Sequence, residues 1–212
     1  MTTTTHEFET ETSTKALDVN VPQKAGRTLW APAFAMSLVG FVAGMILAIV
    51  KATAIADWDT VLAASLNNYG IAAMFFGFTM VFTGISFAIA RILGEFRVGG
   101  GRTQEAVGSE VRTLKMPVTA KAFIGLMAMA MMILMAAVIA HVVVGAQINS
   151  ESMTLLDAEQ WDLWLEAARR FAVSLYLFAI ALGLGTIIYV IRYQSIRIRE
   201  VANTTLPTSS KQ

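Results

Sequence analysis

Ala122 to Ser150 reads AFIGLMAMAMMILMAAVIAHVVVGAQINS, 29 residues without an Asp, Glu, Lys or Arg. A helix needs about 20 apolar residues to cross the hydrocarbon core of a bilayer. Lipid offers no hydrogen bonds, so backbone placed there must satisfy itself, and the helix is the single-segment solution. No other stretch limits the possible folds so strongly. Three more uncharged runs share its character: Trp30–Val50, Tyr69–Ala90 and Phe171–Ile191. Together they predict an all-α integral membrane protein whose four transmembrane helices form an antiparallel up-down bundle. The expected helices cover about 30–50, 69–97, 122–147 and 171–200, inside one transmembrane domain spanning 28–201. Residues 1–27 are Thr- and Glu-rich, lack apolar periodicity and read as a disordered tail, His6 included. Residues 202–212 read as a second disordered tail.

Between the first two runs, Ile55, Trp58, Leu62 and Leu66 fall on one helical face. Between the last two, Trp161, Trp164, Leu165 and Ala168 do the same, opposite Glu159, Asp162 and Glu166. Amphipathic segments of this kind suit the water–lipid boundary. Each external loop is therefore expected to hold a short interfacial helix, the second opening on an Asp157/Gln160 capping pair.

Orientation follows from charge. Of 16 Lys and Arg residues, only Lys51, Arg169 and Arg170 lie in those two loops. The positive-inside rule then puts both termini and the loop around 97–121 in the cytoplasm, with a prokaryotic plasma membrane as the expected setting. All four tryptophans (Trp30, Trp58, Trp161, Trp164) fall at predicted boundaries, where aromatic belts form.

The spans carry small residues at helical spacing: Gly40, Gly44 and Ala48 in the first, Gly70, Gly77 and Gly84 in the second, Ala179/Gly183 and Ala181/Gly185 in the fourth. Such seams let helices approach closely. Pro32 is expected in the first turn of its helix, and the second helix is expected to stop at Gly99-Gly100-Gly101. The segment GGGRTQEAVGSE lacks the Gly-Lys-Ser/Thr ending of a phosphate-binding loop, and no strand leads into it. Arg192, Arg197 and Arg199 are placed at headgroup level, where anionic lipid could pair with them.

Several chemistries drop out. The chain has no cysteine, which removes thiol catalysis, iron–sulfur clusters and cysteine-based zinc sites. A net charge of +1 gives no electrostatic case for nucleic acid. Met127, Met129, Met131, Met132 and Met135 point in nearly every direction around their helix, so they cannot converge on one metal and read as packing. His141 is the one His, Asp, Glu, Lys or Arg inside the four runs. A polar group at that depth needs a partner, and Ser174 or Tyr176 on the fourth helix lies at the matching level.

These features favour a non-catalytic multi-pass subunit that anchors or stabilises a larger membrane complex. Its expected partners are the lipid bilayer and other membrane subunits or further copies of itself. No enzyme activity of its own and no cofactor are expected. Two alternatives stand beside it. One is a haem- or quinone-associated redox subunit in which His141 binds the cofactor. The other is a small oligomeric transporter or channel.

Overall fold

The computed structural model describes residues 8–12, 18–19 and 21–205. A short strand, β1 (Thr10–Thr12), precedes helix α1 (Val21–Ala56). Helix α2 (Thr60–Ala106) follows, then strand β2 (Arg112–Leu114), helix α3 (Val118–Asn149) and helix α4 (Leu155–Thr205). All four helices are long and apolar enough to cross a membrane. They pack antiparallel in sequence order, and the pairing of residues shows it. Gly40 of α1 lies against Gly77 of α2, Gly44 against Met74, and Lys51 bonds Asn67, so numbers rise on one helix as they fall on the other. Helices α2 and α4 run the same way, as an up-down order requires. Phe75 lies beneath Arg169, and further along Phe82 stacks on Tyr176.

The chain divides into two compact units, and every helix contributes to both. The first takes Met1–Thr28, Phe87–Phe123 and Ala181–Gln212; the second takes Leu29–Ser86 and Ile124–Ile180. In the second unit Leu134, Ala137, His141, Ala172 and Tyr176 are buried, and Gly40 of α1 meets Gly77 of α2. A Cβ on Gly40 would sit 2.7 Å from the Gly77 nitrogen and 2.8 Å from its Cα. That is backbone on backbone, the contact a small-residue seam makes available. In the first unit β1 pairs antiparallel with β2, Thr10 opposite Leu114. The ring of Phe8 is buried against Tyr189 and Tyr193 of α4.

No separate interfacial helix is seen where two were expected. Residues 51–56 finish α1, residues 60–68 begin α2, and residues 155–170 begin α4. The reason is local. Neither Asn67-Asn68-Tyr69-Gly70 nor Arg169-Arg170-Phe171 contains a proline, and the amides of the first do not cap: Asn67 accepts from Lys51 and Asn68 donates back to the Ala64 carbonyl of its own helix. The breaks fall instead at tight turns. Asp59 caps α2 by accepting the Leu62 amide at 2.9 Å. At α4 the cap is Thr154, not the expected Asp157. The Asp157 amide donates to Thr154 Oγ1, and that hydroxyl donates back to Asp157 Oδ2 at 2.7 Å.

Helices α1, α2 and α3 end alike. The second residue past the helix is left-handed (Trp58, Gly108 and Glu151), and two backbone bonds close the turn. This is the Schellman arrangement, usually built on glycine.

Other expectations also shift. Helix α1 starts at Val21, so Pro22 occupies its first turn and Pro32 lies in its interior. Residues 8–12, expected to be tail, form strand and a buried aromatic anchor, whereas His6 and 206–212 lie outside the described residues. Helix α2 runs straight through Gly99-Gly100-Gly101 to Ala106. Gly100 lies against the side chains of Gln194 and Arg197, so a close approach uses the missing side chain.

Candidate functional site: a buried histidine held by two helices

His141 is on α3 in the second unit and has no exposed surface. Its Nε2 is 2.9 Å from Nη1 of Arg169 on α4, and its Nδ1 is 2.8 Å from Oδ1 of Asn68 on α2. A guanidinium can only donate, so Nε2 must be the accepting nitrogen. The proton is therefore on Nδ1, which donates to Asn68. The carboxamide of Asn68 is oriented in turn, because its Nδ2 donates to the carbonyl of Ala64 at 3.3 Å. These bonds define one neutral tautomer, and both ring nitrogens are engaged.

The surroundings complete the arrangement. The Arg169 guanidinium lies 4.7 Å over the Phe75 ring, a cation–π contact that offsets part of its desolvation. A carboxylate oxygen of Asp162, about two turns before Arg169 on α4, is 3.6 Å from His141 Nδ1. That is beyond hydrogen-bond length, so Asp162 acts on the cluster through its charge. Nearby, Ser65 Oγ donates to the carbonyl of Gly145 at 2.8 Å, a second polar tie from α2 to α3.

The partners proposed from sequence are not the ones His141 meets. Ser174 Oγ donates to the carbonyl of Arg170 on its own helix, and Tyr176 lies flat on Phe82. With α4 starting at Leu155, Arg169 is not a loop residue. It sits well inside the helix and turns toward the bundle. In sequence Asn68, a neutral amide at the end of an apolar run, resembles an ordinary boundary residue.

The cluster has a clear chemical consequence. Iron ligation through either imidazole nitrogen would require breaking the bond to Arg169 or the bond to Asn68. Among the described residues no group of three His, Asp or Glu side chains is placed to hold a metal ion. The methionines are dispersed, with Met127 buried and Met132 on the exposed face.

The first unit contains its own buried polar cluster. Arg197, expected among lipid headgroups, is 3% exposed and points inward. Its Nη2 donates to Gln104 Oε1 at 2.5 Å, and its guanidinium is 5.4 Å from the Tyr193 ring centre. The same Gln104 oxygen accepts the Arg112 amide at 3.0 Å. Tyr193 donates its hydroxyl to the Arg112 carbonyl at 3.1 Å, and Gln194 donates to the carbonyl of Phe96 at 2.7 Å. Thus β2 is fastened to α2 and α4, and β1 is fastened to β2.

No family model, curated protein or solved structure matches this chain.

Proposed function

We propose that this chain is a non-catalytic membrane subunit that anchors or stabilises a larger complex. The observation carrying this reading is where the buried polar groups go. Ser65 ties α2 to α3, His141 ties α3 to both α2 and α4, Thr186 ties α4 to Thr119 of α3, and Arg197 ties α4 to Gln104 of α2. Each is used to fix one helix against another. A transport path or a redox centre keeps polar groups available at depth for a substrate or cofactor. Here these four side chains are committed to packing one helix on another, and the product is a stiff frame.

The helices also offer surfaces for contact. Leu38, Val39, Met45, Ile46 and Ile49 of α1 form an exposed apolar face suited to lipid or a neighbouring membrane helix. At about 1.5 Å per residue, α2 and α4 are much longer than a hydrocarbon core about 30 Å thick. Their ends therefore extend into water, where soluble partners can bind. On the charge distribution, both termini and the loop around 97–121 face the cytoplasm of a prokaryotic cell.

Gentle extraction of the full chain, followed by identification of whatever co-purifies, tests the proposal. Stoichiometric recovery with other subunits supports it. A homo-oligomer alone, conducting ions or solutes after reconstitution, overturns it in favour of a small transporter or channel. A bound haem or quinone overturns it in favour of a redox subunit.

A further inference from the structure

At the end of the second unit where α3 turns into α4, the surface opens into a cavity of about 720 Å³. Its lining includes Gln147 from the last turn of α3, Ser152 from the connection, and Asp157, Gln160, Trp161 and Trp164 from α4. This volume is within the roughly 300–1,000 Å³ of small-molecule sites. Asp157, Trp161 and Trp164 recur at intervals of four and three, so they share one helical face. The two indoles are 50% and 77% exposed, and neither is taken up by the helix packing described above.

We propose that this cavity binds the ring of a neutral sugar, either on a free glycan or as the headgroup of a glycolipid. The argument rests on the donor and acceptor inventory. An indole presents a broad apolar surface with a negative face. The C–H face of a pyranose, slightly positive, lies well on such a surface. Sugar hydroxyls both donate and accept, and they need both kinds of partner. Gln147 and Gln160 each supply an amide donor and an acceptor, and Ser152, whose hydroxyl donates to the Gln147 carbonyl and meets Ser150 Oγ, adds a remaining acceptor lone pair. Asp157 supplies only acceptors. Thr154 holds its Oδ2, which fixes the carboxylate and leaves further lone pairs for a ligand.

Other ligand classes fit this lining less well. A phosphate or carboxylate would meet Asp157 with no cation in the lining to offset it. A quaternary ammonium would suit the indoles and the carboxylate, but it has no hydrogen bonds to offer. The two carboxamides would then lose water without compensation. A belt of interfacial tryptophans alone requires neither the carboxylate nor the amides around them.

The test uses the full chain in nanodiscs of phosphatidylethanolamine and phosphatidylglycerol, without glycosidic detergent. In a Trp30→Phe/Trp58→Phe background, tryptophan emission reports only Trp161 and Trp164. The probes are the neutral disaccharides maltose, cellobiose and lactose, and separately nanodiscs doped with diglucosyl diacylglycerol. Tetramethylammonium chloride is the contrasting probe. A saturable emission change is expected with a free disaccharide, with the glycolipid, or with both, and the responding probe identifies the source. Gln160→Ala, an exposed position, is expected to weaken binding several-fold, and Asp157→Asn about tenfold. Calorimetric titration of the unsubstituted chain gives the same reading if the double Phe background does not fold. The proposal is overturned if no sugar probe saturates, if tetramethylammonium alone produces the change, or if both lining substitutions leave the sugar response intact.

Discussion

Replacing His141 by Ala is the most informative perturbation of the buried cluster. It removes the bond from Arg169 Nη1 to Nε2 and the bond from Nδ1 to Asn68 Oδ1. A hydrogen bond to a charged group contributes about 1.5–3 kcal/mol and a neutral one about 1 kcal/mol. The lost ring also leaves a void, so a total cost of about 3–4 kcal/mol is expected. His141→Gln is the control, since a carboxamide retains one donor and one acceptor; its expected cost is under about 1.5 kcal/mol. Pairwise attribution requires a double-mutant cycle with Arg169→Met. Interhelical hydrogen bonds in membranes average about 0.6 kcal/mol by such cycles and reach about 1.7. A bond from a charged guanidinium to a fully buried imidazole belongs at the upper end, so a coupling of about 1.5 kcal/mol is expected. Reversible SDS unfolding of the four proteins, followed by far-UV circular dichroism, measures it. Nitrogen NMR of labelled imidazole checks the tautomer directly and should find the proton on Nδ1. A coupling below about 0.5 kcal/mol, or a proton on Nε2, would refute the assignment of Arg169 as donor.

The seams, caps and first-unit cluster give further expectations. Gly40→Ala, which drives a methyl into the Gly77 backbone, should cost about 1–3 kcal/mol, whereas Gly125→Ala, with open space around it, should be neutral or stabilising in the same unfolding assay. Glu151→Gly should stabilise by about 1 kcal/mol, because Glu151 holds a left-handed conformation at φ 55° that costs a side-chain-bearing residue about that much. Arg197→Ala should leave Gln104 with one partner fewer and loosen β2, read as faster amide exchange at residues 112–114. If the imidazole is occupied as described, the purified chain and His141→Gln should have the same visible spectrum, with no Soret band lost.

Four apolar lengths of chain were enough to determine four helices and their alternating directions. That inference needs only the bilayer's thickness and the cost of an unsatisfied backbone group. The glycine seams of the first two helices were also legible, because spacing alone puts Gly40 and Gly44 on one face and Gly77 on another. Helix ends were less so. They depend on turns whose left-handed residues, Trp58 and Glu151, carry none of the usual glycine signal. The triple glycine misled in the opposite direction. Gly100 looks like a breaker in sequence, yet it is a position where a Cβ would run into the side chains of Gln194 and Arg197.

His141 could be named from sequence as a residue that needs partners, because a lone imidazole in an uncharged run is conspicuous. Its partners could not be named, since Asn68 and Arg169 are 73 and 28 residues away and only helix rotation selects them over Ser174 or Tyr176. The same holds for Arg197, whose sequence neighbourhood suggests lipid and whose actual partner is Gln104, 93 residues away. Composition and hydropathy are sums over a segment, so they determine which solvent that segment meets. The direction a side chain takes around a helix axis is set by what packs beside it. For this protein the sequence alone decided that four helices are long and apolar enough to cross a membrane, and only the tertiary structure decided that the polar side chains among them turn inward to hold one another.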